Sequence, residues 1–396
     1  MAKAKIGKTD IGNAKKLGLD PDRLRKLKKV ITEDTAKGLY DGAVFIVARH
    51  GEIAMFEAVG HTDLAKKRKA KKDDIFFIMS LTKQMTTVRV LMAIEEGKFT
   101  LTTPIKDVIP EFGTKGKQNI TVLHILTHMS GLNTEIPFTL PVDKLGNIEE
   151  VVKAFCLERL LYMPGTIITY NPVTSLALVA AMVQRLDERK RPFRTIMKED
   201  VFEPLGMKST ALGLPDKLRK KIVPIIVRDL TPGIFEPFLI ESMNYIAAED
   251  TELPSGGVVS TAHDIFLFTE MLRQGGELNG KRLLSPETVD LATTNHTGDL
   301  PNHLMDHMRE MYGWPEIPAY LGLTFFLRGE GMFPTPLGLN TSPWTYAGLG
   351  AGSTMFWVDP EKELTYIFLS AGLMEEGRSF MRHQRLSDMV VASVIE

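Results

Sequence analysis

Residues 73–105 read DDIFFIMSLTKQMTTVRVLMAIEEGKFTLTTPI, and they place a Ser-x-x-Lys, Ser80 to Lys83, at the start of an apolar helix. Leu81, Met85, Val88 and Met92 recur at helical spacing, and Gly97 is a stop signal, so the helix begins near Ser80. Positions i and i+3 share a helix face, which brings a hydroxyl beside an amine. The positive end of the helix stabilises a developing alkoxide, and a lysine stripped of water gives up its proton more readily. Together these define a candidate nucleophile with an adjacent base. Chance alone supplies about one Ser-x-x-Lys in a chain of this size. A capping serine beside a solvated lysine therefore stands as the alternative.

On the N-terminal side, residues 21–38 predict a helix with Leu24, Leu27 and Ile31 on one face. GAVFIVARHGEIAMFEAVG (42–60) then predicts an antiparallel hairpin around Arg49-His50-Gly51-Glu52. The run KKRKAKK (66–72), a possible nuclear-localisation or polyanion patch, reads as a solvated loop because Asp73-Asp74 follow it. On the C-terminal side, residues 120–300 are mostly helical in pattern with Pro/Gly-rich connectors. TMFWVDP and ELTYIFLSAG then return to strand around Asp359-Pro360-Glu361-Lys362, and a helix from about 379 to 394 closes the chain. Strands at both ends predict an α/β (α+β) fold: one antiparallel sheet drawn from the two termini, flanked by terminal helices, with a mostly helical region inserted. The expected division is 13–75 and 311–396 as two parts of an α/β domain, and 76–310 as the helical region.

Composition narrows the function. Of 396 residues, 44% are hydrophobic and 24% charged, an ordinary folded protein. Lys+Arg 48 against Asp+Glu 49 gives a net charge of −1, without the positive field that nucleic acid binding uses. Cys156 is alone, so neither an internal disulfide nor a Cys-based zinc site is expected. The basic N-terminus lacks a signal-peptide core, and no run reaches the roughly 20 apolar residues of a membrane span, so the expected location is cytoplasmic. No Gly-x-Ser-x-Gly, phosphate-binding loop or His-Glu-x-x-His is present. His124 and His128 share i, i+4 spacing but lack an acidic partner, and read as polar or capping residues at a helix end rather than metal ligands. Gly348-Leu349-Gly350-Ala351-Gly352-Ser353 precedes a strand, so it is a glycine-rich strand entry and not a dinucleotide turn.

Six segments carry a family resemblance: residues 73–105, ITVLHILTHMSGL, YMPGTIITYNP, VFEPLGMKST, SGGVVSTAHDIFLF and GLGAGSTMFWVDPEKEL. In order and approximate spacing the chain resembles the β-lactamase-like serine hydrolases, in the branch with class C β-lactamases and family VIII carboxylesterases. The resemblance implies a β-lactamase/transpeptidase-like fold. It makes Ser80 the nucleophile, Lys83 its base or proton relay, and Tyr170 of Tyr170-Asn171-Pro172 the second-motif tyrosine. Either Lys83 or Tyr170 then serves as the acylation base. The third motif falls on Gly348-Leu349-Gly350, with the backbone N–H groups of Ser80 and Ala351 as the oxyanion hole. Gly348, Leu349, Gly350 and Asn171 are the expected substrate-binding residues.

Two departures matter. Gly348 stands where relatives carry Lys, His or Trp, and Pro172 where β-lactamases usually carry asparagine; both point away from β-lactams. Tyr312, Trp314, Phe325, Phe326 and Trp344 either line an apolar pocket or belong to the core. The expectation is a serine esterase for small to medium uncharged acyl groups, acting through a Ser80 acyl-enzyme on a small-molecule ester. No cofactor, metal, nucleic acid or membrane partner is expected, and the oligomeric state stays open. The alternatives are an acyltransferase of the same fold, a weak β-lactamase or D-amino-acid peptidase, and a binding protein that has lost turnover.

Overall fold

The computed structural model describes residues 11–395 apart from Leu64 and Pro232. Helix α1 (Pro21–Ala36) begins where the Asp20 carboxylate accepts the N–H groups of Asp22 and Arg23, with proline at its first position. Its buried face holds Leu24, Leu27 and Ile31, the stripe read from the sequence. The final helix, Glu376–Val391, lies beside it, and Arg385 pairs with the buried Asp34 between them.

Strands β1 (Gly42–Arg49), β2 (Glu52–Asp63) and β3 (Arg68–Lys69) come from the N-terminal end. β4 (Phe76–Phe77), β5 (Ala211–Leu212) and β6 (Val258–Ser260) form a small sheet, and β7 (Glu277–Leu278) and β8 (Lys281–Arg282) a short hairpin. β9 (Phe326–Leu327), β10 (Tyr346–Gly350), β11 (Thr354–Asp359) and β12 (Leu364–Ala371) come from the C-terminal end. The main sheet is antiparallel in the order β3-β2-β1-β12-β11-β10-β9, so strands from the two ends of the chain meet at β1 and β12. Gly42 pairs with Ala371 and Arg49 with Leu364. Both strands are buried along their whole length. The terminal helices cover one face of the sheet and the helix Ala262–Arg273 packs on the other, which is why their sequences are continuous apolar runs.

The basic run 66–72 differs from its reading as a loop. It supplies β3, the edge of the sheet, where charged side chains discourage pairing with another chain, and Arg68 is tied to the buried Asp74. Helix α2 (Leu81–Glu95) buries residues on every side because it runs through the middle of the molecule, as its nearly uniform apolar and threonine content requires. Among the described residues no helix is long and apolar enough to cross a membrane.

Candidate active site

β4 pairs with β6 and delivers the chain directly to Ser80. The Ile78 N–H donates to Val258 O at 3.0 Å, and Met79 turns the backbone with a φ of 51°. Ser80 is the N-cap of α2, yet its side chain makes no capping bond, so the capping alternative does not hold and the hydroxyl is available for another partner. That partner is Lys83, whose Nζ lies 3.1 Å from Ser80 Oγ, 2.7 Å from Pro172 O and 3.0 Å from Ser255 O. Lys83 is 1% exposed, and among the described residues no carboxylate forms an ion pair with it. Burial holds its pKa well below the usual lysine value. A neutral amine has two N–H groups and one lone pair. The two carbonyls accept from the nitrogen on two sides, and its third direction points at Ser80 Oγ.

Tyr170 is also buried, and its hydroxyl is hydrogen-bonded with Ser80. Burial raises the phenol's pKa, against a smaller lowering by Ser80, so Tyr170 keeps its proton in the environment where Lys83 loses one. The Lys83 Nζ sits 5.0 Å from the centre of the Tyr170 ring. Asn171 holds this loop: its Nδ2 donates to Asn133 O at 2.9 Å, and its Oδ1 accepts the N–H groups of Thr174 at 2.8 Å and Ser175 at 3.0 Å. Its side chain is thereby spent on the loop, in place of the substrate contact expected of it.

The two histidines part company. His124 completes a capping box with Thr121, the helix-end role its sequence suggested. His128 follows the end of that helix with a φ of 57°, which swings its ring onto Tyr170 with centroids 4.4 Å apart. Its Nδ1 accepts the Asn171 N–H at 3.4 Å, and its carbonyl accepts the Thr169 N–H at 2.9 Å. Burial lowers its pKa to about 3, so the ring is neutral. Sequence reading gave His128 only a polar or capping role at a helix end, because nothing in the spacing ties it to Tyr170, 42 positions further on.

β10 forms the opposite wall, and its side chains alternate between two faces. Leu349 faces the cleft beside Ser80 and Tyr170. Gly348 faces away: a Cβ there would lie 2.6 Å from Gln84 Oε1 and from the Phe356 ring, in packing that belongs to α2 and β11. The expected substrate contact at Gly348 is therefore corrected by the alternation of the strand. Gly350 lets β10 lie against the Ser80 turn, since a Cβ would come within 2.7 Å of Ile78 O. Thr354 Oγ1 donates to that same carbonyl at 2.9 Å. The N–H groups of Ser80 and Ala351 are not donors in the loop and turn hydrogen bonds of the described residues.

Ser80 and Ala351 border two apolar lobes. One, ≈ 590 Å³, is walled by Phe326, Leu349, Met305, Met308 and Phe380. The other, ≈ 630 Å³, is walled by Leu145, Val173, Ile240, Met243 and Leu253. The first has Glu376 and His383 on its wall; the second has no charged residue. Of the five C-terminal aromatics considered, only Phe326 lines either lobe. Phe325 packs in the core against Tyr346, Tyr312 and Trp314 stack behind Phe380, and Trp344 is 71% exposed.

A serine on the turn that opens α2, a buried amine and phenol behind it, and a glycine-containing strand in front are carried on a β-lactamase/transpeptidase-like fold. The chain belongs to the beta-lactamase family, whose profile matches residues 27–387. It is 25% identical to Protein Rv1367c of Mycobacterium tuberculosis over 374 residues, 86% of this chain and 88% of that one. It is 30% identical to Esterase EstB of Burkholderia gladioli over 183 residues, 42% of this chain and 46% of that one. The crystal structure of a family VIII carboxylesterase superposes with a TM-score of 0.73 at 18% identity, covering 93% of this chain and 98% of the other.

Proposed function

We propose that the protein is a cytoplasmic serine esterase that hydrolyses small to medium, uncharged carboxylic esters through a Ser80 acyl-enzyme, without a cofactor. The observation that carries this reading is the Lys83 amine, buried without a carboxylate and held by two carbonyls with Ser80 Oγ as its third neighbour. Ser80 attacks the ester carbonyl carbon as its proton moves to Lys83 Nζ. The carbonyl oxygen becomes an oxyanion between the N–H groups of Ser80 and Ala351. As the C–O bond breaks, the Tyr170 phenol protonates the leaving alkoxide and is reprotonated from Lys83. Water then attacks the acyl carbon as its proton passes by the same route to Lys83 Nζ; the bond from Ser80 Oγ to the acyl carbon breaks, Ser80 Oγ takes that proton back, and the carboxylic acid leaves.

The cleft favours uncharged esters. No cation faces it from β10, because Gly348 points the other way, and a carboxylate, Glu376, stands on the wall of one lobe. The similarity to Esterase EstB supports the ester reading over a β-lactam one. The test is intact-protein mass spectrometry after brief mixing with p-nitrophenyl butyrate, beside Ser80→Ala, with nitrophenol release followed in the same samples. A butyryl adduct or steady release that disappears in Ser80→Ala is expected. Equal release by both proteins would sink the mechanism.

A further inference from the structure

Both lobes reach Ser80 and Ala351, and Phe235 borders both. An ester bound with its carbonyl carbon at Ser80 Oγ and its oxygen between two N–H groups must send its acyl and alcohol halves in different directions from that point. We propose that Phe235 is a septum that sorts the two halves of an ester into separate apolar lobes, with Glu376 as the positioning residue that holds it. This inference rests on the ester reading above. It narrows the substrate class to esters with an apolar, uncharged group on each side of the carbonyl, each half limited by its own lobe.

The support for the septum comes from both directions along the chain. Phe235 lies one residue before Glu236, the N-cap of the helix Pro237–Ile246, whose inner residues Ile240 and Met243 wall the second lobe. On its other side, the Ile234 N–H donates to Glu376 Oε2 at 3.0 Å. A Cβ at Gly233 would collide with the same carboxylate, so the chain approaches Glu376 as closely as a glycine permits. Two residues beyond, Arg378 pairs with Asp229 at 2.8 Å. Glu376 and Arg378 lie in the first turn of the final helix, which packs on the main sheet. The wall that carries Phe235 is thus tied to the helix that covers the main sheet, while Phe235 is itself only half-buried and open to truncation.

The experiment measures kcat and KM over a grid of esters, acetyl to octanoyl on the acyl side against ethyl to benzyl on the alcohol side. Branched groups are included on each side. Wild type, Phe235→Ala, Glu376→Ala and Glu376→Gln are compared, and their Tm values are recorded. In wild type the acyl-length optimum should not depend on the alcohol. Phe235→Ala should raise kcat/KM for esters branched next to the carbonyl by roughly 10-fold relative to ethyl butyrate, through KM. Glu376→Ala should move the profile the same way by less. Glu376→Gln, which still offers an oxygen to the Ile234 N–H, should restore the wild-type profile. A uniform fall across the grid, or an unchanged profile in Phe235→Ala, would overturn the proposal.

Calorimetric binding of the same esters in a Ser80→Ala background separates the two claims. A size profile that shifts with Phe235→Ala, in a protein without Ser80-dependent turnover, would sustain the septum and remove the esterase reading. Normal turnover with an unmoved binding profile would do the reverse.

Discussion

The two sides of the cleft are built on opposite terms. Behind Ser80 the groups are polar, buried and closely placed: Lys83 has three partners, Asn171 uses both ends of its amide, and His128 packs on Tyr170. In front, the wall around Phe235 and the helix Pro237–Ile246 is apolar inside, and it still exposes Phe238 at 84% and Tyr245 at 88% outside. Chemistry needs atoms at fixed distances, whereas sorting of substrates needs only volume and shape. Changes to the first wall should therefore act on kcat, and changes to the second on which ester is preferred.

The sharpest way to break that division is at the buried pair. Lys83→Ala should cost about 10² to 10⁴-fold in kcat/KM, and Tyr170→Phe a loss in the same range. Their pH profiles should differ. Because Lys83 accepts a proton only as the neutral amine, activity falls as pH drops through its lowered pKa. That acid limb should survive in Tyr170→Phe and vanish in Lys83→Ala. Loss of the limb in Tyr170→Phe alone would reverse the roles assigned to the two groups.

A smaller effect is expected where the two walls touch. Gly350→Ala forces its new methyl against Ile78 O and so against the turn that carries Ser80. The expected outcome is a fall in kcat of about 100-fold from misplacement of the nucleophile, with about 1–3 kcal/mol of lost stability. The kinetics and a urea unfolding curve read the two effects separately. A loss of stability with unchanged kcat would show that the Ser80 turn tolerates displacement.

The remaining effect spares turnover and concerns stability against pH. His128 titrates at about 3 when folded, below the ordinary 6.5, so the unfolded chain takes up its proton first. Its contribution is complete above pH 6.5 and drains as pH falls towards 3, by about 1.4 kcal/mol per pH unit. His383 is buried and shifted in the same direction, so the wild-type slope contains both rings. His128→Gln should lose less stability than wild type between pH 7 and pH 5 in urea unfolding. Parallel slopes for the two proteins would show that the ring charges freely in the folded state.

The same contrast explains what the sequence disclosed. The terminal helices, the hairpin 42–60 and the last strands were legible because each is a continuous periodic pattern. Ser80 and Lys83 were legible because a hydroxyl and an amine sharing a helix face need i, i+3 spacing, and Tyr170 only through the order of the six segments. Gly348 was located on the correct strand but assigned to the wrong face; once Leu349 faces the cleft, strand alternation turns Gly348 away. Phe235 and the lobes left no such trace. Leu145, Val173, Met243, Met305 and Phe380 are far apart in sequence, and each alone is indistinguishable from a core residue. The five C-terminal aromatics, read as pocket or core, divide accordingly: Phe326 lines a lobe and the other four do not.

The meeting of β1 with β12 also has a consequence during synthesis. The partner of Arg49 is Leu364, so the N-terminal hairpin leaves the ribosome long before the strand that completes its edge. At about 5–20 residues per second that interval is some tens of seconds. Throughout it the growing chain displays a strand that is apolar up to Arg49 and has one side unpaired, the kind of edge on which aggregation starts. A chain ending before Leu364 would retain Ser80, Lys83 and Tyr170 and still lack the centre of the sheet that organises them. The catalytic side chains are present early in the nascent protein, but the sheet that positions them cannot close until its last strand is made.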